Sequence, residues 1–466
     1  MPAPVVVVGG GVAGLVTARD LAIAGREVVL LEARDRPGGC IGVHEVDGLR
    51  LDAGAESYAT RSPAVPRLIE ELDLAEDVVL PAAGAAWVHG PHGAAPLPRT
   101  GALGIPGTPW AADVRRAVGV LGAARAGLDR WLPARVGLGA EPVSLGQLVR
   151  ARQGRRVLDR LVDPVVTGVH SARPDDVDLG VLPGLRELVL EHGSLAGAVT
   201  AMRAAAPAGA AVAGLRGGMN RLVTALWEDS VAQGVDVRTG TRAESLERAG
   251  GTWTIGTTAG PVVASQVVVA LDNDAAVRLL APHAPAATAM TGPPNGVVLA
   301  TLVVDAPVLD QAPRGTGVLV ALGAPGVRAK ALTHATAKWA WLAQTAGPGR
   351  HVLRLSYGWA GRPAGPSAEA SPEVAADLGD DLRETALADA ATLLGVPLEL
   401  DQVRGFGRTT WRHGLNPTRP GHGAQVARLR AELTAQPGLH AAGAWLAGTG
   451  LAAVVADARR VAASLV

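Results

Sequence analysis

Phenylalanine and tyrosine are almost missing from this 466-residue chain: Phe406, Tyr58 and Tyr357 stand against ten tryptophans. So few rings leave little with which to frame a site as an aromatic cage. Cysteine occurs once, as Cys40, which excludes an internal disulfide framework and a cysteine-rich metal centre and fits a reducing compartment. Net charge is lacking as well, since 43 basic and 43 acidic residues leave +0. Nucleic acid is therefore not expected as a partner, and any basic patch must be local. No apolar run reaches the ~18 residues of a membrane span, and Met1 to Pro4 lead straight into a strand without a basic, cleavable leader. A cytoplasmic protein is expected, with peripheral membrane contact the most that the sequence allows.

Apolar residues make up 48% of the chain and charged ones 18%, which excludes a disordered tail and, at this length, predicts two domains. Ala, Gly, Arg and Pro are used heavily, so a single glycine carries little weight. Val5–Val8 is the continuous β-branched run that a buried parallel strand needs, Val12–Ala24 carries apolar residues at helical spacing, and "REVVLLEA" reads as a second buried strand. Strand, helix, strand implies parallel pairing. The stretch 85–214 reads as a mostly helical insertion. From Leu215 to Leu280 helix and strands return, "VDVRTG", "TRAESLER", "TWTIGT" and "ASQVVVAL" among them, as though rejoining the first sheet. Val297–Val304, Gly317–Leu322, Arg328–Thr333 and His351–Tyr357 predict a second, antiparallel sheet, covered by a helix over Pro372–Leu394. The expected fold class is α/β. A dinucleotide-binding, Rossmann-like domain from 1–84, 215–281 and 420–466 is interleaved with an α+β substrate-binding domain over 282–419 and with the helical insertion.

Gly9, Gly11 and Gly14 form G-x-G-x-x-G where the first strand ends and a helix begins: the first turns the chain, the second admits a pyrophosphate, the third lets helix meet strand. Glu32 ends the next strand eighteen positions beyond Gly14, where an acid accepts hydrogen bonds from ribose hydroxyls. Nicotinamide and flavin dinucleotides share this cradle. The loop after the second strand distinguishes them, because "EARDRPGG" sets Glu32, Arg36, Gly38 and Gly39 in the order E-x-x-x-R-x-G-G. That order resembles the second dinucleotide signature of the flavin amine oxidase and protoporphyrinogen oxidase superfamily.

The resemblance runs along nearly the whole chain, and "LDAGAESYATRSPAVPRLIEELDL", "LRGGMNRLVTAL", "VDPVVTGVHSA", "AKALTHATAKW" and "LRLSYG" fall in the order of that family's segments. It implies FAD as cofactor. Gly9, Gly10, Gly11, Val12, Ala13 and Gly14 with Glu32, Ala33, Arg36, Gly38 and Gly39 would hold its dinucleotide end. Gly54, Ala55, Glu56 and Ser57 would pass the flavin ring, Ala243 would meet adenine through its backbone, Trp411 would also bind the cofactor, and Gly443, Gly448, Gly450 and Leu451 would close the site. Ala452 stands where the family has proline and Asp457 where it often has glycine. Asp457 would either weaken flavin affinity or point outward.

For the substrate, the resemblance points to Arg61, whose planar fork suits a propionate, ahead of the alternative of a solvated residue at a helix start. Lys330, His334, Lys338 and Arg354 would add positive field, although each taken alone reads first as part of a solvated face, and Gly168 and His170 would line the pocket unless His170 is structural. No spacing suggests a metal. The activity implied is six-electron oxidation of coproporphyrinogen III by dioxygen in three hydride transfers to FAD, yielding hydrogen peroxide, within haem biosynthesis and with hand-over to a later enzyme of that route. Protoporphyrinogen IX is the alternative substrate. Amine oxidation, carotenoid-type desaturation and a weakly active tetrapyrrole carrier are the other readings.

Overall fold

In the computed structural model the described residues are 3–91, 93–99, 101–139, 142–205, 211–291, 296–358, 381–411 and 419–466. Val5–Val8 lies at the centre of a five-stranded parallel sheet, between Val28–Leu31 and Gln266–Val269, with Asp236–Arg238 and Leu439–Ala441 outside them. Its side chains alternate between two cores. Val5 and Val7 pack with helices Val12–Ile23 and Leu451–Ala463, and Val6 and Val8 with Trp253, Leu280 and Leu429. A strand buried on both faces has no use for polar alternation, which is why the run is all valine.

Only part of the stretch expected to rejoin this sheet does so. Ala243–Ala249, Thr252–Thr257 and Val262–Ala264 form their own three-stranded antiparallel sheet. Thr252–Thr257 buries Trp253 and Ile255 on one face and leaves the intervening residues half-buried, the pattern of an antiparallel strand with one wet side.

The second sheet has seven strands, in the order Val403–Trp411, Val297–Asp305, Arg350–Tyr357, Ala331–His334, Gly317–Val320, Ala86–Gly90 and Gly93–Pro96. All pairs are antiparallel except Gly317–Val320 with Ala86–Gly90. Residues 86–96, read from sequence as the start of a helical insertion, therefore supply two strands at the sheet edge, and the first helix of that stretch begins at Ala112. Helix Leu382–Leu394 packs on the sheet through Ala386, Ala390 and Leu393; the part of the expected helix before residue 381 lies outside the described residues. Helices between 112 and 204 enclose a third core, pinned by the fully buried Arg152, which bonds Asp129 and the carbonyls of Pro133, Ala134 and Gly193.

Candidate flavin and substrate site

The phosphate turn is shaped by two contacts that only glycine permits. Gly9 has φ +110°, and a Cβ on Gly14 would lie 1.8 Å from the Gly9 carbonyl oxygen. Gly11 differs, since the nearest atom to a Cβ there is the Gly39 Cα at 3.8 Å, leaving open space over the helix N-terminus where backbone N–H groups favour an anion. Glu32 sits beneath this space. Its carboxylate accepts the Gly10 N–H and the Arg34 N–H, both at 2.8 Å, and retains lone pairs for ribose hydroxyls. Val12 and Ala13 open the helix behind the turn, and Ala33 is exposed beside Glu32. Ala243 starts the separate sheet, close to where the Thr241 N–H reaches the Glu32 carbonyl oxygen. This cradle fits a dinucleotide.

Gly38 and Gly39, with φ of +140° and +57°, bring the next loop against Gly11. Arg36 lines a cleft of about 480 Å³ with Arg50, Val223 and Trp227, on the side of that loop facing helix Asn220–Ala232. The guanidinium that spans the loop is Arg34, which bonds the Gly39 carbonyl at 3.0 Å and stands 5.8 Å from the Trp411 ring centre. Sequence reasoning passed over Arg34, although it lies two residues from Glu32 on the same turn. Trp411 in turn donates to the Ala53 carbonyl at 2.7 Å, and its ring closes on Gly42 and Gly54.

Beyond Gly54 and Ala55, Glu56 is held by two cations. Lys338 bonds its Oε1, and Arg354 lies 3.2 Å from its Oε2 while also donating to the Gly54 carbonyl at 2.8 Å. Burial pushes the Glu56 carboxyl up, but Arg354 and Lys338 pull harder and hold it at about 2. Both cations are thus already paired with a carboxylate of the protein, with one positive charge of the three-residue cluster left over. Ser57 is half-buried beside them.

The chain has only two lysines, Lys330 and Lys338. Lys330 is 2% exposed and donates to the hydroxyl of Ser171, with no acidic partner among the described residues. Burial pushes its amine down to about 7. Ser171, at φ +50°, ends helix Asp163–His170, which packs on the second sheet where Gly168 meets Leu319. His170 is half-buried, and burial lowers its pKa. Arg61 is exposed three residues before helix Ala64–Glu71 and has no side-chain partner among the described residues.

At the C-terminus Gly443, Gly448 and Gly450 all adopt positive φ, and Leu451 begins the last helix. Asp457 does not point outward: it is 8% exposed, and one carboxylate oxygen lies 2.6 Å from both Arg430 and Arg460 while the other faces the Gly443 N–H at 3.4 Å. Its negative charge is compensated. Tyr58 and Tyr357 lie in different cores, Tyr357 donating to Asp389, so they do not face one another across a ring. Cys40 is exposed, and among the described residues no group of His, Cys, Asp and Glu could hold a metal.

Residues 12–466 match the model of the flavin containing amine oxidoreductases. The chain belongs to that family. It is an FAD-dependent oxidoreductase, and the cradle around Gly11 and Glu32 is where its own residues fit the cofactor. Along 470 residues it is 30% identical to a coproporphyrinogen III oxidase of Mycobacterium tuberculosis, covering 99% of this chain and 96% of that one. A coproporphyrinogen III oxidase of Propionibacterium freudenreichii is 29% identical over 503 residues, covering 98% and 89%. Among solved structures, one provisionally named a protoporphyrinogen oxidase, from Exiguobacterium sp. 255-15, superposes with a TM-score of 0.83 at 26% identity, covering 100% of this chain and 99% of that one. The likeness to porphyrinogen oxidases thus extends over the whole chain.

Proposed function

We propose that this enzyme oxidises coproporphyrinogen III to coproporphyrin III in haem biosynthesis, with FAD as the resident cofactor and dioxygen as the final acceptor. The observation that carries the reading, beside full-length similarity to enzymes of that name, is the presence of two basic side chains without protein anions, the guanidinium of Arg61 and the amine of Lys330, which burial holds at about 7 and which a carboxylate partner would keep protonated. Lys330 is buried and Arg61 exposed, each lacking an acidic partner among the described residues, and a tetracarboxylate supplies what they lack.

When bound, FAD supplies the two-electron acceptor for each of three rounds and passes the electrons to dioxygen. The chain's own residues bind and orient. Gly11 would give the pyrophosphate room, Glu32 would receive the ribose, and Trp411 with the Glu56 cluster braces the backbone of Gly54 and Ala55 that would meet the flavin ring. Arg61 and Lys330 hold propionates, while Gly168 and His170 set the pocket wall. Segments 1–84, 215–281 and 420–466 form the flavin-binding unit, 282–419 with the edge strands at 86–96 the substrate-binding unit, and the helices from Ala112 to Ala204 the cover. The compensated charge of Asp457 supports an active enzyme over a carrier, and the separated tyrosines speak against an amine oxidase cage. No described helix is long and apolar enough to cross a membrane, and a cytoplasmic location is part of the proposal.

Porphyrin fluorescence, followed with both porphyrinogens on wild type and Arg61→Ala, tests the reading. Loss of one charge-assisted bond, roughly 1.5–3 kcal/mol, should raise KM roughly 10- to 100-fold with kcat little changed. Wild type that prefers protoporphyrinogen IX would reverse the substrate, and unchanged kinetics would return Arg61 to solvent.

A further inference from the structure

Of the four residues expected to add positive field near the substrate, three are engaged elsewhere in the protein. Lys338 and Arg354 hold Glu56, and His334, fully buried, lies 3.0 Å from His351 Nδ1. Lys330 is left, and the root of its side chain is fixed from several sides. The Lys330 N–H bonds the Ser356 carbonyl at 2.8 Å, and the Lys330 carbonyl accepts the Val320 N–H at 3.0 Å. Just before it, the Ala329 N–H at 2.8 Å and the Arg328 N–H at 3.2 Å bond the carboxylate of Asp389, which also accepts the Tyr357 hydroxyl at 3.1 Å. Beyond that root, the four-carbon stem is held by one polar contact among the described residues, from the amine to the hydroxyl of Ser171.

Ser171 is set apart by its backbone. It ends helix Asp163–His170 at φ 50° and ψ 32°, in the left-handed region that is unfavourable for a residue with a Cβ. The other described α-helices that end in this conformation, Leu185–His192 and Leu382–Leu394, do so on Gly193 and Gly395, the common solution. Five described residues other than glycine have positive φ, and Ser171, 1% exposed, is the only one of them that is buried. Backbone geometry therefore does not account for a serine here, in a chain that uses glycine freely. Its hydroxyl does, since Lys330 is the one partner of that group among the described residues. A hydroxyl accepts from an ammonium and donates to a free amine, so it serves Lys330 in either state.

We propose that Ser171 is a positioning residue for substrate binding: its hydroxyl holds the Lys330 side chain in one conformation at the end of the helix that carries Gly168 and His170, so that the amine is in place before a propionate arrives. This rests on the reading of Lys330 as a propionate-binding group. Without the hydroxyl the lysine stem regains its rotamers, and the entropy of fixing it falls on substrate binding. Immobilising one long side chain corresponds to roughly 2- to 10-fold in KM. The turnover number should change little, because the carboxylate is held equally before and during the chemistry.

Steady-state kinetics with coproporphyrinogen III on the FAD-loaded variants Ser171→Gly, Ser171→Ala, Lys330→Met and the double variant of Ser171→Gly with Lys330→Met provide the test, with flavin content and unfolding temperature measured alongside. Both Ser171 variants should keep the flavin and raise KM by the same factor, roughly 2- to 10-fold, although glycine relaxes the left-handed turn and alanine does not. A serine needed only for its backbone would split them, leaving glycine at the wild-type KM and alanine impaired. Lys330→Met should raise KM at least about 10-fold, and in its background Ser171→Gly should add nothing. A wild-type KM in Ser171→Gly, or an effect of that substitution that persists in the Lys330→Met background, would overturn the positioning role while Lys330 keeps its own. A wild-type KM in Lys330→Met would overturn the reading of Lys330 and the proposal with it. Should Ser171→Ala fail to fold, Ser171→Gly, which the backbone favours, decides.

Discussion

Gly11→Val should give a folded protein that purifies without FAD. Gly11 has an ordinary extended backbone, with φ −71° and ψ 176°, and nothing but the Gly39 Cα stands within 4 Å of an added Cβ. The protein alone therefore tolerates a side chain there. The space it would fill is the one over the helix N-terminus, where the pyrophosphate must approach the backbone N–H groups. Blocking it should cost at least about 3 kcal/mol of cofactor binding, roughly 100-fold in Kd. Gly14→Ala gives the contrasting outcome, because its Cβ would meet the Gly9 carbonyl oxygen at 1.8 Å and the turn itself must move; this variant should lose thermal stability as well as flavin. Visible absorbance per protein and unfolding temperature, measured on both, separate the two effects. A Gly11→Val protein with the wild-type flavin spectrum would remove the pyrophosphate from this turn.

That turn was legible in the sequence because its requirements are local. A β-branched run, glycines that close contacts demand and an acid at the next strand end all lie within 32 residues, and each answers to backbone geometry that no other residue type meets. The strands Val297–Asp305 and Arg350–Tyr357 were legible for a similar reason, since their buried residues alternate or run together. The edge hairpin at 86–96 was not. Short, glycine- and alanine-rich strands carry little periodicity, and only the partner strand Gly317–Val320, more than two hundred residues away in the chain, gives them their ladder. The candidate site divides in the same way. Glu32 could be found by counting, whereas Lys338 and Arg354 read as free cations because their counter-ion, Glu56, lies 282 residues from Lys338. Asp457 looked like a defect in a motif for the same reason, its compensating Arg430 being on another helix.

Glu56 is where that long-range pairing should be most costly to break. Glu56→Ala leaves the Lys338 ammonium and the Arg354 guanidinium in a largely buried place, with side chains only 17% and 15% exposed and no carboxylate between them. Removing one partner of a buried pair typically destabilises by about 3–5 kcal/mol, since the remaining charge stays desolvated. The pH dependence gives a second, independent signature. The carboxyl is held at about 2, below its ordinary 4.5, so the ionised form stabilises the fold. That contribution is fully present above pH 4.5 and is lost as the pH falls toward 2, amounting to about 3 kcal/mol at about 1.4 kcal/mol per unit. Glu56→Gln, which keeps the shape and cannot ionise, should therefore be less stable than wild type by that amount at pH 6 to 7 and converge on it as the pH falls to about 2. Denaturant unfolding of both proteins across this range measures the difference directly. A gap that stays constant with pH would mean that the charge of Glu56 contributes nothing and that Lys338 and Arg354 are balanced elsewhere.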